Sequence, residues 1–179
     1  MRSVVKRLER YYMFPRRVAT GVTDVDTNAV RSFLVAAHAD VVETVRDCAA
    51  VSATTGTDAT GRSDTSAVRR GIETELRDAG VWDRLPTVLV DCVEVVGGRL
   101  RATPVAAPPY VAPTATGVVL RGTLERGRLV VAVDALAVER GDEGGATAER
   151  EDERTTGVTL RPRPPDTPLA ELIRVEWRG

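Results

Sequence analysis

The spacing of apolar residues changes once along this chain, at Gly97-Gly98, and that change limits the fold more than any other feature. Before it, apolar residues recur every three or four positions, as on one face of a helix. From Thr27, which suits an N-cap, Val30, Phe33, Leu34, Ala37, Val41, Val45 and Cys48 mark one long amphipathic helix running to about Val51. A second opens between Ser63 and Thr65, sets Val68, Ile72 and Leu76 four apart, and stops at Gly80, where glycine takes a left-handed cap at little cost. A third begins near Asp83, Leu85 and Pro86 and keeps Leu85, Leu89, Cys92, Val93 and Val96 on one side until the glycine pair.

Beyond Gly98 the period falls to two. GVVLRGTL and RLVVAVDALAVER flank Glu125-Arg126-Gly127, which reads as a three-residue hairpin loop. Leu129, Val131 and Val133 share a face, and the apolar set then slips by one residue to Leu136 and Val138, so a bulge is expected near Asp134-Ala135. VTLRP and IRVEW follow, and in the latter Ile173, Val175 and Trp177 oppose Arg174, Glu176 and Arg178, a strand with one wet face. Helices first and strands second predict an α+β fold, with N-terminal helices packed on a C-terminal antiparallel sheet of about four or five strands. Residues 27–179 read as one α+β domain with loops at 52–65 and 141–156, the latter charged and glycine-bearing.

Composition bounds the chemistry. The 179 residues can bury a core without disulfides, and with seven aromatic residues in all that core must be aliphatic. Cys48 and Cys92 lie far apart in apolar segments, which reads as two buried reduced thiols in a cytoplasmic protein with no secretory signal. The longest apolar runs are broken by acids and fall short of the roughly 20 residues of a membrane span. Lys6 is the single lysine and the other 24 basic residues are arginine, a skew of base composition that argues little for phosphate recognition.

Charge is uneven. Residues 1–17 hold Arg2, Lys6, Arg7, Arg10, Arg16 and Arg17 against Glu9, leaving the rest of the chain acidic. On a helical wheel Val4, Val5, Leu8, Tyr11 and Tyr12 fall on one third of the circumference, with Arg2, Lys6, Arg7 and Arg10 opposite. Such an arm could contact an anionic surface, nucleic acid or membrane; the alternatives are a helix docked on its own domain, or a mis-called start with Met13 or a later residue as the true beginning.

Catalytic groups are sparse. His38 is the only histidine; Asp40 lies about 200° around a helix from it, and Cys48 about 80° off its stripe, so a local pair is disfavoured, although Cys92 could meet it through tertiary folding. Asp91 and Glu94 read as the solvated face of the third helix. Gly97-Gly98 follows a helix instead of opening one, which is not a phosphate loop. No catalytic, cofactor or metal residues are assigned.

PVAAPPYVAP, from Pro104 to Pro113, is neither PxxP nor PPxY and fits a connector that holds Tyr110-Val111-Ala112 at a sheet edge, with Pro108, Pro109 and Tyr110 as a candidate interaction lip. Together with LRGTLERGRLVVAVDALAVER and the HADVVETVRDC helix, this segment resembles an uncharacterised haloarchaeal family of unknown function over residues 30 to 140, outside both the arm and the acidic stretch. The resemblance implies the helix-then-hairpin fold and the cytoplasm, and no activity or cofactor. The expected function is a non-catalytic protein-interaction or regulatory module with an unknown protein partner; nucleic-acid or membrane-surface association through the arm comes second, and an enzyme of unrecognised type third.

Overall fold

The structure, a computed structural model, describes residues 25–140 and 158–179. Helices α1 (Thr27–Ala37), α2 (Ala39–Thr55), α3 (Thr65–Asp78) and α4 (Leu85–Val95) come first, with a 3-10 turn at Trp82–Arg84 before α4. Strands β1 (Val111–Pro113), β2 (Gly117–Leu124), β3 (Gly127–Asp134), β4 (Leu136–Arg140) and β5 (Val158–Pro162) follow, and a short α5 (Leu169–Leu172) leads into β6 (Ile173–Arg178). The fold is α+β. The main antiparallel sheet runs β1-β2-β3-β6, and β4-β5 form a separate pair.

One side of the main sheet and the helices share the core. Leu129 and Val131 of β3, Leu89 and Cys92 of α4 and Ile72 and Leu76 of α3 have no exposed surface. Trp82 plugs this layer with its ring 1% exposed and donates its indole N–H to the Ala106 carbonyl at 2.8 Å, which ties the proline segment to the helices. Helix α3 approaches α2 closely because Gly71 presents no side chain; a Cβ there would stand 3.0 Å from the Ser52 hydroxyl. Ser52 turns that buried hydroxyl back onto the Cys48 carbonyl at 2.8 Å.

The expected single long helix is two. It breaks at His38, which caps α1 and opens α2 with φ −132° and ψ 31°. Leu34 and Val41 are both buried, seven residues apart, so the apolar spacing runs through the break undisturbed. The N-cap is Asp26, not Thr27: its carboxylate accepts the N–H groups of Asn28 and Ala29 at 3.0 Å each. Helix α2 continues to Thr55, so the connection to α3 is residues 56–64, and it is fastened to β5: Ser63 donates its N–H to the Val158 carbonyl and accepts the Leu160 N–H on its hydroxyl, both at 2.9 Å.

Two features of the sheet also differ from expectation. Leu124 pairs with Gly127, leaving Glu125-Arg126 as a two-residue loop. Gly127 belongs to the strand at φ 152°, where an added Cβ would meet the Arg178 carbonyl at 2.6 Å and the Trp177 ring that covers the position. The slip near Asp134-Ala135 is not a bulge within one strand. There the chain leaves β3 and enters the second sheet; the Thr116 carbonyl accepts both the Ala135 and Leu136 N–H groups, Leu136 is buried, and Val138 faces solvent.

Candidate interaction surface

The second side of the main sheet is exposed around Arg121, Thr123 and Arg128, towards the hairpin end, whereas Val119 and Ala132 on the same side are buried. Register lays out its rows. Thr123 faces Arg128, which faces Arg178; Arg121 faces Val130, which faces Glu176; Val119 faces Ala132, which faces Arg174. The Arg101 N–H donates to the Thr123 carbonyl at 3.2 Å, extending the first row beyond β2. Arg101, Arg121, Arg128, Arg174 and Arg178 are all exposed. Alternation explains the arginines, since Leu120, Gly122 and Leu124, or Leu129 and Val131, turn inward and so send Arg121 and Arg128 to the other side.

These cations are not equivalent. Arg174 and Arg178 straddle Glu176 at 2.8 and 2.7 Å, and Arg178 foremost holds that carboxyl below the usual carboxylate range. Arg174 also reaches Asp134 at 3.3 Å, and the Thr116 hydroxyl donates to the other Asp134 oxygen at 2.8 Å. Arg121 and Arg128 have no ion pair or hydrogen bond to their guanidinium groups among the described residues. At the hairpin end Arg99, Leu100, Arg101 and Glu125 line an open depression of about 490 Å³.

The proline segment rims this face. Ala107 to Tyr110 form a turn with a cis Pro108-Pro109 bond, closed by the Tyr110 N–H on the Ala107 carbonyl at 3.0 Å. Pro108 and Pro109 are exposed, whereas Tyr110 is half-buried against the core and offers less surface than the sequence suggests. The Arg121 N–H donates to the Tyr110 carbonyl at 2.8 Å, so the turn abuts the Arg121 row. Arg2, Lys6, Arg7 and Arg10 lie outside the described residues, as does the acidic stretch 141–156.

His38, Asp91 and the two cysteines belong to the helical half of the chain. His38 Nε2 lies 2.9 Å from Asp91 Oδ2, with the His38 side chain 15% exposed and the Phe33 ring edge-on to it at 5.6 Å. Fifty-three residues separate the pair, and no local spacing predicts it. Asp91 is therefore a partner to the helix break and not simply part of a solvated face. Cys92 does not pair with His38: it is fully buried, and that burial, with the Asp91 charge adding, pushes its thiol up to about 12. Cys48 is buried as well, and its thiol is raised by the same cause. Among the described residues no three His, Cys, Asp or Glu side chains gather as a metal site, and no helix is long and apolar enough to cross a membrane.

A domain of unknown function, DUF7988, matches residues 28–161. The chain belongs to that family. The match covers α1 through β5 and runs across the acidic stretch, which the narrower resemblance over residues 30 to 140 left outside. No curated protein and no solved structure matches the chain.

Proposed function

We propose that this DUF7988 chain is a non-catalytic cytoplasmic module, one domain over residues 27–179, that acts as an adaptor or regulator by binding an acidic partner protein on the open face of its main sheet. The observation that carries this reading is the pair Arg121 and Arg128, exposed in adjacent strands with no carboxylate on their guanidinium groups. Guanidinium forks without partners, set on a rigid sheet, are ready to take carboxylates bidentately. The turn bearing Pro108, Pro109 and Tyr110 supplies a contoured rim beside them. The inert state of Cys92 and the engagement of His38 with Asp91 support a binding role over a nucleophilic one. The two buried thiols support the cytoplasm.

An acidic protein fits this face better than single-stranded nucleic acid. Stacking platforms present aromatic rings, and here Trp177 faces the core side opposite Leu129 while Tyr110 is half-buried. The test is binding of a labelled oligoglutamate peptide and of a mixed single-stranded DNA to the full chain at low salt. Peptide binding that is lost in Arg121→Glu/Arg128→Glu, with the far-UV spectrum unchanged, supports the proposal. Tighter binding of the DNA transfers the face to nucleic acid, and binding of neither probe removes it as a docking surface.

A further inference from the structure

We propose that two copies of this chain pair antiparallel through their β6 edges, joining their main sheets into one eight-stranded sheet across a two-fold axis. The two edges of the sheet are built differently. β1 has three residues and ends on Pro113, which has no N–H to offer. β6 has six residues and no proline.

Along β6, alternate residues turn their main-chain groups away from β3. Ile173 is one of these, since its carbonyl accepts Arg31 Nε of α1 at 3.0 Å and its N–H goes to the Ala170 carbonyl. Val175 and Trp177 are therefore the next two, and among the described residues their outward N–H and C=O groups have no partner.

The sequence at this edge is complementary to itself. Centred on Val175, antiparallel pairing sets Val175 against its copy, Ile173 against Trp177 of the second copy, and Arg174 against Glu176 of the second copy, the last two contacts occurring twice by symmetry. Opposite charges directly across a ladder stabilise it. A register centred on Glu176 would set Glu176 against itself and Arg174 against Arg178, like against like. The favoured register also satisfies the open donors. The two Val175 residues exchange a pair of bonds, and each Trp177 N–H reaches the Ile173 carbonyl across the axis, which keeps a second lone pair beside Arg31.

Helix α1 packs on β6 and suits the same contact. Its exposed positions Asn28, Ser32, Ala36 and Ala37 are uncharged, in a chain where 28% of residues carry charge. A neighbouring copy would cover them without burying an unpaired ion. An isologous pairing of this kind closes on itself and builds no fibre. It does not depend on the reading of Arg121 and Arg128, which lie on β2 and β3.

The test is the mass of the full chain in solution from low to high micromolar concentration, with amide exchange measured beside it. The expected mass is twice 19.3 kDa. Arg174→Glu and Glu176→Arg should each return the chain to its single mass, and the double swap should restore the dimer. Val175 and Trp177 amides should exchange slowly in the native chain, a readout that stands even if one variant fails to fold. A native chain that stays at 19.3 kDa, a dimer that survives both single reversals, a double swap that stays monomeric, or fast exchange at both native amides overturns the proposal.

Discussion

The helical layer and the sheet layer carry opposite charge. From Thr27 to Val95 there are 11 carboxylates against seven arginines, whereas residues 96–140 and 158–179 hold ten arginines against six carboxylates. Proximity would let the two layers neutralise each other, yet these ion pairs among the described residues lie within one layer. Arg84 pairs with Asp40 and Arg77 with Glu73 among the helices, while Arg174 pairs with Asp134 and Glu176 within the sheet. The reason is geometric: the boundary between the layers is aliphatic, and charges are pushed to the two outer surfaces, far enough apart for solvent to screen them. Cohesion therefore comes from apolar burial, and the outward charge of the sheet is left for other molecules.

The hardest blow to that division falls on the boundary itself. Leu129 is fully buried on the core side of β3, and its neighbour Val130 lies half-buried on the open side. Leu129→Ala should cost about 2–5 kcal/mol by urea unfolding, the usual toll of an emptied core site. Val130→Ala should cost less than about 1 kcal/mol. Equal losses would show that the open face is covered and that the comparison of the two sides is wrong.

Cys92 reports on the same boundary from the helical side. With its thiol pushed up to about 12, the folded chain keeps a proton that the unfolded chain releases near pH 8.5. The contribution is thus complete below the ordinary thiol value and is lost as pH rises toward the folded one. Stability of the native chain should fall across that alkaline window more steeply than that of Cys92→Ala. A thiol reagent should modify Cys92 only after denaturation, and Cys48, 8% exposed, ahead of it. Rapid native modification of Cys92 would reopen a nucleophilic role.

Much of this division was legible in the residues. Val68, Ile72 and Leu76 at fourfold spacing marked α3, and the alternation in IRVEW gave β6 its wet and dry faces. What escaped detection depended on partners distant in sequence. The break at His38 is silent because Leu34 and Val41 keep helical spacing across it, and its partner Asp91 is 53 residues away. The passage from β3 to β4 mimics a bulge because one change of sheet and one extra residue shift the apolar phase alike. The arginine rows and the open edge at Val175 and Trp177 follow from the strand order β1-β2-β3-β6, which no local pattern encodes.

The smallest effect sharpens the electrostatic side of the comparison. Asp40 in the helical layer is held below the usual carboxylate range first by the hydrogen bond from Arg84, and Glu176 in the sheet layer first by that from Arg178. Both folded values lie beneath their unfolded ones, so each contribution is present above the unfolded value of roughly 3.9–4.3 and is lost as pH falls through the folded value. Both carboxylates face solvent, and salt should weaken each shift. Side-chain carboxyl titration by NMR reads them separately. Arg84→Gln should raise the Asp40 midpoint and leave Glu176 alone, and Arg178→Gln should do the reverse, moving Glu176 further than Arg174→Gln does. If either substitution shifted the carboxylate of the other layer, the two surfaces would be electrically coupled through the core, and the sheet's positive face would already be partly spent on the helices beneath it.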